Sequence, residues 1–273
     1  MEYWQNIYSH FDPVAFNVAG ISVHWYGIMY ALALLSAIFI AKWFIKRDKL
    51  PISDEMFDSY IWWAEIGVIL GARLGYILFY DPNTMYYLTN PWQIFNPFAS
   101  SGEFVGISGM SYHGAFIGFI LASYLFCRKN KVSFWFLADI SVLGISAAYV
   151  FGRIGNFFNQ ELVGRVTDVS WGIYVDGILR HPSQIYEAIL EGLVVFAILV
   201  YFRHRKTFDG QLAIMYGVLY SIARIIAEVY RQPDVQLGFL YSNWLTMGML
   251  ISGVFTLICI VMYMVLSKNK LKN

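Results

Sequence analysis

Long apolar segments, separated by short polar or basic ones, make up most of the chain. Most of these segments reach about 20 residues, the length that an α-helix needs to cross the hydrocarbon core of a bilayer. Seven of them are predicted to span a membrane, at residues 21–43, 57–80, 112–127, 134–156, 184–202, 211–230 and 243–266. The pattern therefore predicts an all-α polytopic membrane protein with about seven transmembrane helices.

The distribution of basic residues sets the orientation of these helices. Clusters of Lys and Arg follow the first, third, fifth and seventh segments, for example Lys46 and Arg47 after the first and Arg203 after the fifth. The positive-inside rule places such clusters in the cytoplasm. The N-terminus is then predicted to lie outside and the C-terminus inside.

The first 20 residues are not predicted to be a cleavable signal peptide. They contain Glu2 and Asp12 but no Lys or Arg, whereas a signal peptide begins with a basic region. Aromatic residues recur along this stretch, at Tyr3, Trp4, Tyr8, Phe11 and Phe16. We expect the segment to be an interfacial arm that lies on the membrane.

Composition narrows the class of protein further. Hydrophobic residues make up 58% of the chain and charged residues only 14%, against roughly 25% charged residues in a typical soluble domain. The net charge of +1 gives no indication of nucleic-acid binding. Cys127 and Cys259 lack the spacing of a disulfide or metal site, so we interpret them as packing residues. Without visible repeats or linkers, residues 1–273 are predicted to form a single membrane-embedded domain.

Small residues predict where two of the helices meet. Gly67, Gly71 and Gly75 recur every four residues on the second span, and Gly114 and Gly118 do so on the third. Stripes of this kind allow membrane helices to pack closely.

The basic residues outside the cytoplasmic clusters are all arginines, and they are the strongest candidates for function. They are Arg73, Arg153, Arg165, Arg180, Arg224 and Arg231. The arginine side chain is always charged, and its planar fork binds phosphate through two hydrogen bonds. Three of these arginines lie within predicted spans, where each charge costs some ~2.5–3.5 kcal/mol on insertion scales. Such placement predicts a site for an anionic group.

The predicted orientation brings polar groups of five helices to one depth, near the outer surface. These groups are Tyr26, Arg73, His113, Arg153 and Arg224. Tyr220, Arg224 and Glu228 are four residues apart and share one helix face, so that Arg224 can pair with Glu228. A structural ion pair between helices is the alternative for this trio and for Arg73.

The densest polar stretch begins at the outer end of the fourth span and continues beyond it. It reads Gly152-Arg153-Ile154-Gly155-Asn156-Phe157-Phe158-Asn159-Gln160-Glu161, with Gly164-Arg165 shortly after. Glycine lets a backbone approach a ligand closely, and arginine and amide groups can then hold a phosphate. A helix that ends in a polar loop is the alternative. His113 opens the third span at the depth of the arginines and is a candidate general base. A solvated structural histidine is the alternative.

Several of these motifs together resemble the signature of bacterial prolipoprotein diacylglyceryl transferases. The matching segments run in order from about residue 20 to 265: His24-Trp25-Tyr26-Gly27, Gly71-Ala72-Arg73-Leu74-Gly75, Tyr112-His113-Gly114, the stretch from Gly152 to Arg165, His181-Pro182-Ser183-Gln184-Ile185-Tyr186-Glu187, Arg224-Ile225-Ile226-Ala227-Glu228 and Arg231-Gln232-Pro233-Asp234. One position departs from the family pattern, because Ala115 follows His113-Gly114 where the family usually has a second glycine.

The resemblance implies a multi-pass enzyme of the bacterial inner membrane. Such enzymes move a diacylglyceryl group from phosphatidylglycerol to the lipobox cysteine thiol of a prolipoprotein. A thioether forms and glycerol phosphate leaves. The implied partners are phosphatidylglycerol, prolipoproteins with a lipobox cysteine and membrane lipids. No nucleic acid, cofactor or metal is implied.

Residue roles follow as hypotheses from this resemblance and from the chemistry. Arg153 and Arg224 would neutralise the leaving phosphate. Glu228 would orient Arg224, and His113 would be the base for the substrate thiol. The substrate-binding residues would be Tyr26, Arg73, Asn156, Asn159, Glu161, Gly164 and Tyr220.

A membrane transporter or binder of a phosphorylated or acidic solute is the competing hypothesis. Transporters commonly hold their substrate near the membrane midplane, between repeated halves of the chain. The absence of a visible repeat and the position of the polar groups toward one face favour the transferase.

The predicted orientation can be tested with a fusion at the C-terminus. Of two reporters fused after Lys272, the one that is active in the cytoplasm should give a signal, and the one that is active in the periplasm should not. The reason is that the basic residues of the tail keep the C-terminus inside. A periplasmic signal from that position would contradict the predicted topology.

Overall fold

Each of the seven predicted spans contains a long helix. The structure, a computed structural model, describes residues 2–18, 21–98, 102, 106, 109–233 and 238–270. The long helices are α2 (Trp25–Arg47), α3 (Asp54–Phe79), α5 (Tyr112–Asn130), α6 (Phe134–Phe158), α7 (Ser183–Phe202), α8 (Gln211–Glu228) and α9 (Met247–Lys270). Two short helices, α1 (Glu2–Gln5) and α4 (Thr84–Thr89), lie outside the predicted spans.

Six of the described helices are long and apolar enough to cross a membrane, namely all the long helices except α5. Helix α5 has 19 residues, but His113 in its first turn and Arg128 and Lys129 in its last turn reduce its apolar character. The chain is therefore an all-α polytopic membrane protein, as predicted. Seven spans were expected, whereas length and composition support six among the described residues.

The chain divides into two compact units. The first comprises Met1–Lys49 and Trp135–Asn273, and the second comprises Leu50–Phe134. The first unit contains α1, α2 and α6 to α9, and the second contains α3, α4 and α5. A single domain over residues 1–273 remains a prediction.

In the second unit, α3 and α5 pack through the glycines that the sequence singled out. A Cβ added at Gly75 would lie 2.7 Å from the Cα of Gly114, and a Cβ at Gly71 would lie 2.8 Å from the Cα of Gly118. Real Cβ atoms do not approach other atoms this closely. The two backbones therefore touch, as small-residue stripes in membrane helices predict.

The N-terminal arm packs against protein in the first unit. Tyr8 is buried, and its ring lies 5.1 Å from that of Phe157, while Trp4 stacks on the same ring at 6.0 Å. Tyr8 is thus part of the protein interior, and the location of the arm at the membrane surface stays a prediction. Strands β1 (Val14–Val18) and β2 (Ile21–His24) form an antiparallel hairpin that leads into α2.

A second hairpin occupies the connection between α6 and α7. Its strands are β3 (Ile173–Val175) and β4 (Ile178–Arg180). The two turn residues, Asp176 and Gly177, have φ angles of 51° and 77°. An Asp-Gly pair is suited to such a turn because Gly adopts positive φ freely and Asp tolerates it. The hairpin is fixed to the rest of the unit by Ile173, which is buried beside Tyr8 and Phe157.

A buried aspartate on α6 fixes the start of α8. The carboxylate of Asp139 accepts hydrogen bonds from the backbone N–H groups of Gly210 and Ala213, both at 3.0 Å. Its Oδ2 also pairs with Lys206 Nζ at 2.9 Å. These bonds satisfy N–H groups that have no partner within α8 itself. They set the position of α8, which carries Arg224 in its last third.

The glycine contact between α3 and α5 makes a prediction about stability. Gly71→Val should lower the free energy of unfolding in detergent by about 3 kcal/mol, because the added side chain overpacks the interface. The control is Gly253→Val on α9, where a Cβ meets no atom within 4 Å. Equal effects of the two substitutions would show that the close contact does not contribute to stability.

Candidate active site

Two glutamates of α7 lie at the centre of a buried charged cluster in the first unit. The side chains of Glu187 and Glu191 are both 0% exposed. Helix α7 has π-helical turns from Ala188 to Val194, which are wider than α-helical turns and are often found at functional sites. A Cβ at Gly192 would lie 2.7 Å from Val150 Cγ2. The absence of a side chain at Gly192 therefore lets α6 approach the turns that carry the glutamates.

The carboxylate of Glu187 contacts three arginines. Its Oε2 lies 2.9 Å from Arg153 Nη1. Its Oε1 lies 3.1 Å from Arg224 Nη1 and 3.3 Å from Arg231 Nη1. These arginines come from α6, from α8 and from the turn after α8. One buried carboxylate thus joins three separate segments of the chain.

Glu191 forms the second part of the cluster together with Tyr149. The hydroxyl of Tyr149 donates to the Glu191 carboxylate and accepts from Arg153 Nε at 2.7 Å. Glu191 also lies 3.8 Å from Arg153 Nη2 and 3.6 Å from Arg224 Nη1. The second glutamate therefore supports the same two guanidinium groups from another side.

Glu228 fixes Arg224 from within α8. Its Oε2 lies 2.5 Å from Arg224 Nη2, across one helical turn. Thr246 Oγ1 donates to Glu228 Oε1 at 3.0 Å, and a Cβ at Gly248 would lie 2.9 Å from the same oxygen. Arg165 donates to the backbone carbonyl of Glu228 at 3.1 Å. The pairing of Arg224 with Glu228, expected from their spacing, is present.

Asn156, in the last turn of α6, and Glu161, in the turn after it, extend the cluster. Asn156 Oδ1 accepts from Arg153 Nη1 at 3.4 Å, and Asn156 Nδ2 donates to Glu161 Oε1 at 2.8 Å. The backbone carbonyl of Glu161 accepts from Gln184 Nε2 at 2.5 Å. Tyr26 lies close by, because a Cβ at Gly155 would be 3.3 Å from its Cδ2. The polar stretch at the end of α6 is thus tied directly to Arg153 through Asn156.

Pairing balances the charges of the cluster and reduces the cost of burying each ion. Its charged side chains are Arg153, Arg224, Arg231, Glu187, Glu191 and Glu228. Arg153 and Arg224 keep 14% and 13% of their side chains exposed, whereas the two glutamates of α7 are fully buried. An anionic ligand would therefore reach the guanidinium groups before the carboxylates. Among the described residues, no group of His, Cys, Asp and Glu side chains is arranged to hold a metal ion.

Comparison with known proteins identifies the family. The model of the family described as prolipoprotein diacylglyceryl transferase matches residues 13–265. The chain is 76% identical over 273 residues to the phosphatidylglycerol–prolipoprotein diacylglyceryl transferase of Aliarcobacter butzleri, with 100% of both chains covered. It is 58% identical over 272 residues to that of Campylobacter curvus, again with 100% of both chains covered. It is 59% identical over 267 residues to that of Wolinella succinogenes, covering 98% of this chain and 97% of the relative.

The chain belongs to the prolipoprotein diacylglyceryl transferase family. Of the candidate residues that the family resemblance implied, Tyr26, Arg153, Asn156, Glu161, Arg224 and Glu228 lie at or beside the charged cluster. Tyr220 also lies there, since its ring is 5.5 Å from that of Tyr149. The structure thus brings together most of the polar candidates of the first unit.

Two further candidates from the family motifs lie next to this cluster in sequence. Asn159 is half-buried in the turn after α6, and its backbone N–H donates to the carbonyl of Gly155 at 2.9 Å. Gly164 is buried, and a Cβ there would lie 2.7 Å from the Cβ of His181. Close packing explains why glycine occupies position 164. Burial lowers the pKa of His181, although Asp168 opposes the shift.

Arg73 and His113 belong to the second unit of this family member. Arg73 is 5% exposed. It donates from Nε to the carbonyl of Ile94 at 2.6 Å and from Nη1 to the carbonyl of Gly109 at 3.2 Å. His113 is exposed at the start of α5, and its Nδ1 lies 3.5 Å from the hydroxyl of Tyr80. Arg73 therefore connects α3 by hydrogen bonds to the segments that contain Ile94 and Gly109. The ring of His113 is exposed at the surface of the unit.

Sequence reasoning assigned no role to Glu187, Glu191 or Tyr149. The signal that would have found them is the spacing of four that had already been applied to Arg224 and Glu228. Glu187 and Glu191 are four apart within an apolar span, and Tyr149 is four residues before Arg153. Two carboxylates on one face of a membrane helix need cationic partners, so they point to the buried arginines.

The contacts of Glu187 make a prediction about stability. Glu187→Gln should lower the free energy of unfolding by about 3–5 kcal/mol, because it leaves buried arginines without their shared counter-charge. The control is Asp209→Asn, which breaks the Lys206–Asp209 pair, with Asp209 48% exposed, and should cost at most about 1 kcal/mol. Denaturation in detergent measures both. Similar small effects would mean that the cluster is not stabilised by Glu187.

Proposed function

We propose that this protein transfers the diacylglyceryl group of phosphatidylglycerol to the lipobox cysteine thiol of prolipoproteins, the first step of lipoprotein maturation. Full-length similarity to proteins with this enzyme name supports the proposal. The observation that carries it in the structure is the meeting of Arg153 and Arg224 on one buried carboxylate. Two forked cations side by side suit the phosphate of a lipid headgroup.

The reaction breaks a carbon–oxygen bond and forms a carbon–sulfur bond. The thiolate of the substrate attacks the glyceryl carbon that is bonded to the phosphate oxygen. The electron pair of the broken bond leaves with glycerol phosphate. A free cysteine has a pKa of about 8.5, and only its thiolate is nucleophilic. The protein's own Cys127 and Cys259 are both buried, so the nucleophile is the thiol of the substrate.

Arg153 and Arg224 stabilise the charge of the leaving phosphate in this proposal. Their guanidinium groups come from different helices but share the Glu187 carboxylate, at 2.9 and 3.1 Å. They are therefore oriented before the lipid binds, and no reorganisation is needed during the reaction. Glu228 holds Arg224 from the other side, which makes Glu228 a positioning residue.

The residues around Asn156 position the glycerol headgroup. Asn156 connects Arg153 to Glu161 through its amide, so a headgroup hydroxyl beside the phosphate meets both an amide and a carboxylate. Tyr26 is partly exposed beside Gly155 and can hold the lipid. Asn159, Gly164 and Tyr220 complete the proposed binding region.

His113 is the proposed base for the thiol. Its imidazole is exposed, and its Nδ1 lies 3.5 Å from the hydroxyl of Tyr80. Arg73, in contrast, is engaged by two backbone carbonyls, which favours a supporting role over direct contact with the lipid.

The site faces the outside of the inner membrane in this proposal. The family and the membrane-spanning helices indicate a multi-pass protein of the inner membrane. The sorting of basic residues supports an outer N-terminus and a cytoplasmic C-terminus. Arg153 and Arg224 then lie in the outer parts of α6 and α8.

Incubation of the purified protein with phosphatidylglycerol and a lipobox peptide tests the proposal. The peptide should gain the mass of one diacylglyceryl group on its cysteine, while a peptide with serine at that position should remain unmodified. An unmodified cysteine peptide in the presence of folded protein would contradict the proposed function.

The same assay tests the arginine pair. Arg153→Lys and Arg224→Lys should each reduce the transfer rate by on the order of 10²–10³, or about 3–4 kcal/mol, because lysine keeps the charge but loses the fork. Arg205→Lys is the control, since Arg205 is exposed and bonds the carbonyl of Tyr201. Arg203 is less suitable because it pairs with Asp48 at 3.0 Å.

Transfer rates near those of the unmodified protein for both lysine variants would contradict the phosphate role. Arg153 and Arg224 would then serve as structural ion-pair partners. The headgroup contact would have to be sought at Arg73, Arg165 or Arg231.

A further inference from the structure

The loop that follows α6 has a strained backbone at two positions. Gln160 and Leu162 have φ angles of 56° and 57°, in the left-handed region that residues with a side chain rarely adopt. Glu161, which bonds to Asn156, lies between them. Such a conformation persists only where the surrounding structure holds it in place. The contacts that hold this loop therefore also set the position of the Glu161 carboxylate.

The N-terminal arm supplies one of these contacts. Nε2 of Gln160 donates to the backbone carbonyl of Tyr8 at 3.2 Å and to that of Phe11 at 3.4 Å. Aromatic packing anchors the arm at this place. The ring of Tyr8 lies 5.1 Å from that of Phe157, and the ring of Phe11 lies 5.4 Å from that of Phe158. The strained residue Gln160 is thus bound to a segment that is far away in the sequence.

Gln184 supplies a second contact and connects it to the arm. Its Nε2 donates to the backbone carbonyl of Glu161 at 2.5 Å and to the hydroxyl of Tyr8 at 3.3 Å. Gln184 is fully buried in the first turn of α7. Beside it, Ser183 Oγ donates to the carbonyl of Leu162 at 3.0 Å. The loop is therefore held on both sides of Glu161, and Tyr8 takes part in the contacts on both sides.

Glu161 carries these contacts on to the charged cluster. Its Oε1 accepts from Asn156 at 2.8 Å, and Asn156 Oδ1 accepts from Arg153 at 3.4 Å. A movement of the loop away from the arm would withdraw the Glu161 carboxylate from Asn156. The pair of Arg153 with Glu187 would stay in place, because it does not involve the loop. The arm therefore affects the proposed headgroup contacts but not the arginines that are proposed to bind the phosphate.

We propose that the N-terminal arm is a positioning element of the lipid site, in which Tyr8 and Gln160 keep Glu161 in place for the glycerol headgroup. This role rests on the proposed function, which assigns the headgroup to Asn156 and Glu161. Tyr8 and Gln160 are positioning residues, because they act through Glu161. Without the arm, only a fraction of the molecules would hold the loop in the binding conformation, and the apparent affinity for the lipid falls with that fraction.

The substitution Gln160→Ala tests the contact with the arm. It removes both bonds to the arm while position 160 stays strained. The KM for phosphatidylglycerol should rise about three- to tenfold. The kcat and the KM for lipobox peptide should stay near their original values, because saturating lipid selects the binding conformation.

The matched control is Gln211→Ala at the start of α8. The side chain of Gln211 also accepts two hydrogen bonds, both from Thr207, and its loss should leave both KM values unchanged. An unchanged lipid KM in Gln160→Ala, or an equal rise in the KM for peptide, overturns the proposal.

A glycine at the same position separates the loop conformation from general stability. Glycine adopts positive φ without strain, so Gln160→Gly should keep the loop in place better than Gln160→Ala, although neither variant bonds to the arm. The KM for phosphatidylglycerol should therefore lie between those of the unmodified protein and Gln160→Ala. A KM in Gln160→Gly equal to or above that of Gln160→Ala overturns the proposal, because the effect would then not arise from the backbone of the loop.

The hydroxyl of Tyr8 is tested by Tyr8→Phe, which keeps the ring beside Phe157 and removes the bond with Gln184. The KM for phosphatidylglycerol should rise about two- to fivefold. Tyr3→Phe is the control within the same arm, since Tyr3 is 67% exposed, and it should leave this KM unchanged. Equal KM values in the two variants overturn the role of the Tyr8 hydroxyl.

Direct binding of the lipid distinguishes failure of this role from failure of the proposed function. Binding of phosphatidylglycerol to the purified protein, measured without peptide by native mass spectrometry, should weaken in Gln160→Ala by the factor by which the KM rises. Weakened binding in Gln160→Ala, together with no transfer by the unmodified protein, would keep the arm as part of a lipid site and remove the transferase function. Unchanged binding in Gln160→Ala, together with normal transfer by the unmodified protein, would overturn the role of the arm alone.

Discussion

A single buried carboxylate, that of Glu187, binds guanidinium groups from three separate segments. Arg153, Arg224 and Arg231 each lie within 3.3 Å of it. Arginines at this depth are costly to bury unless they are paired. The shared carboxylate makes their burial possible, and it fixes the distance between the two arginines that are proposed to bind phosphate. Stability and the proposed recognition of phosphate therefore depend on the same contact.

Contacts elsewhere in the first unit keep α6 and α8 positioned so that their arginines reach Glu187. Gly192 lets α6 approach the π-helical turns of α7, so that Tyr149 and Arg153 can reach the glutamates. Asp139 fixes the start of α8, and Arg165 binds the carbonyl groups at its end. A shift of α8 along its axis would separate Arg224 from Glu187. The polar bonds at both ends of the helix oppose such a shift.

The sequence predicts those features that depend on local pattern. Apolar segment length predicts the long helices, and a spacing of four predicts the pairing of Arg224 with Glu228. Contacts between helices are harder to predict, because they depend on how each helix is rotated about its axis. The spacing of four places Glu187 and Glu191 on one face of α7, but it does not show which arginines that face meets. The burial of Tyr8 was not predicted either, since an aromatic residue suits a protein interior and a membrane surface equally well.

A double-substitution cycle in the transfer assay tests the central claim most directly. Glu187→Gln and Arg224→Lys should each slow the transfer of the diacylglyceryl group, because each disturbs the same preorganised array. If Glu187 acts by holding Arg224, the double variant should be little slower than the slower single variant. Losses that multiply in the double variant would contradict the account, since they would show that the two residues act independently.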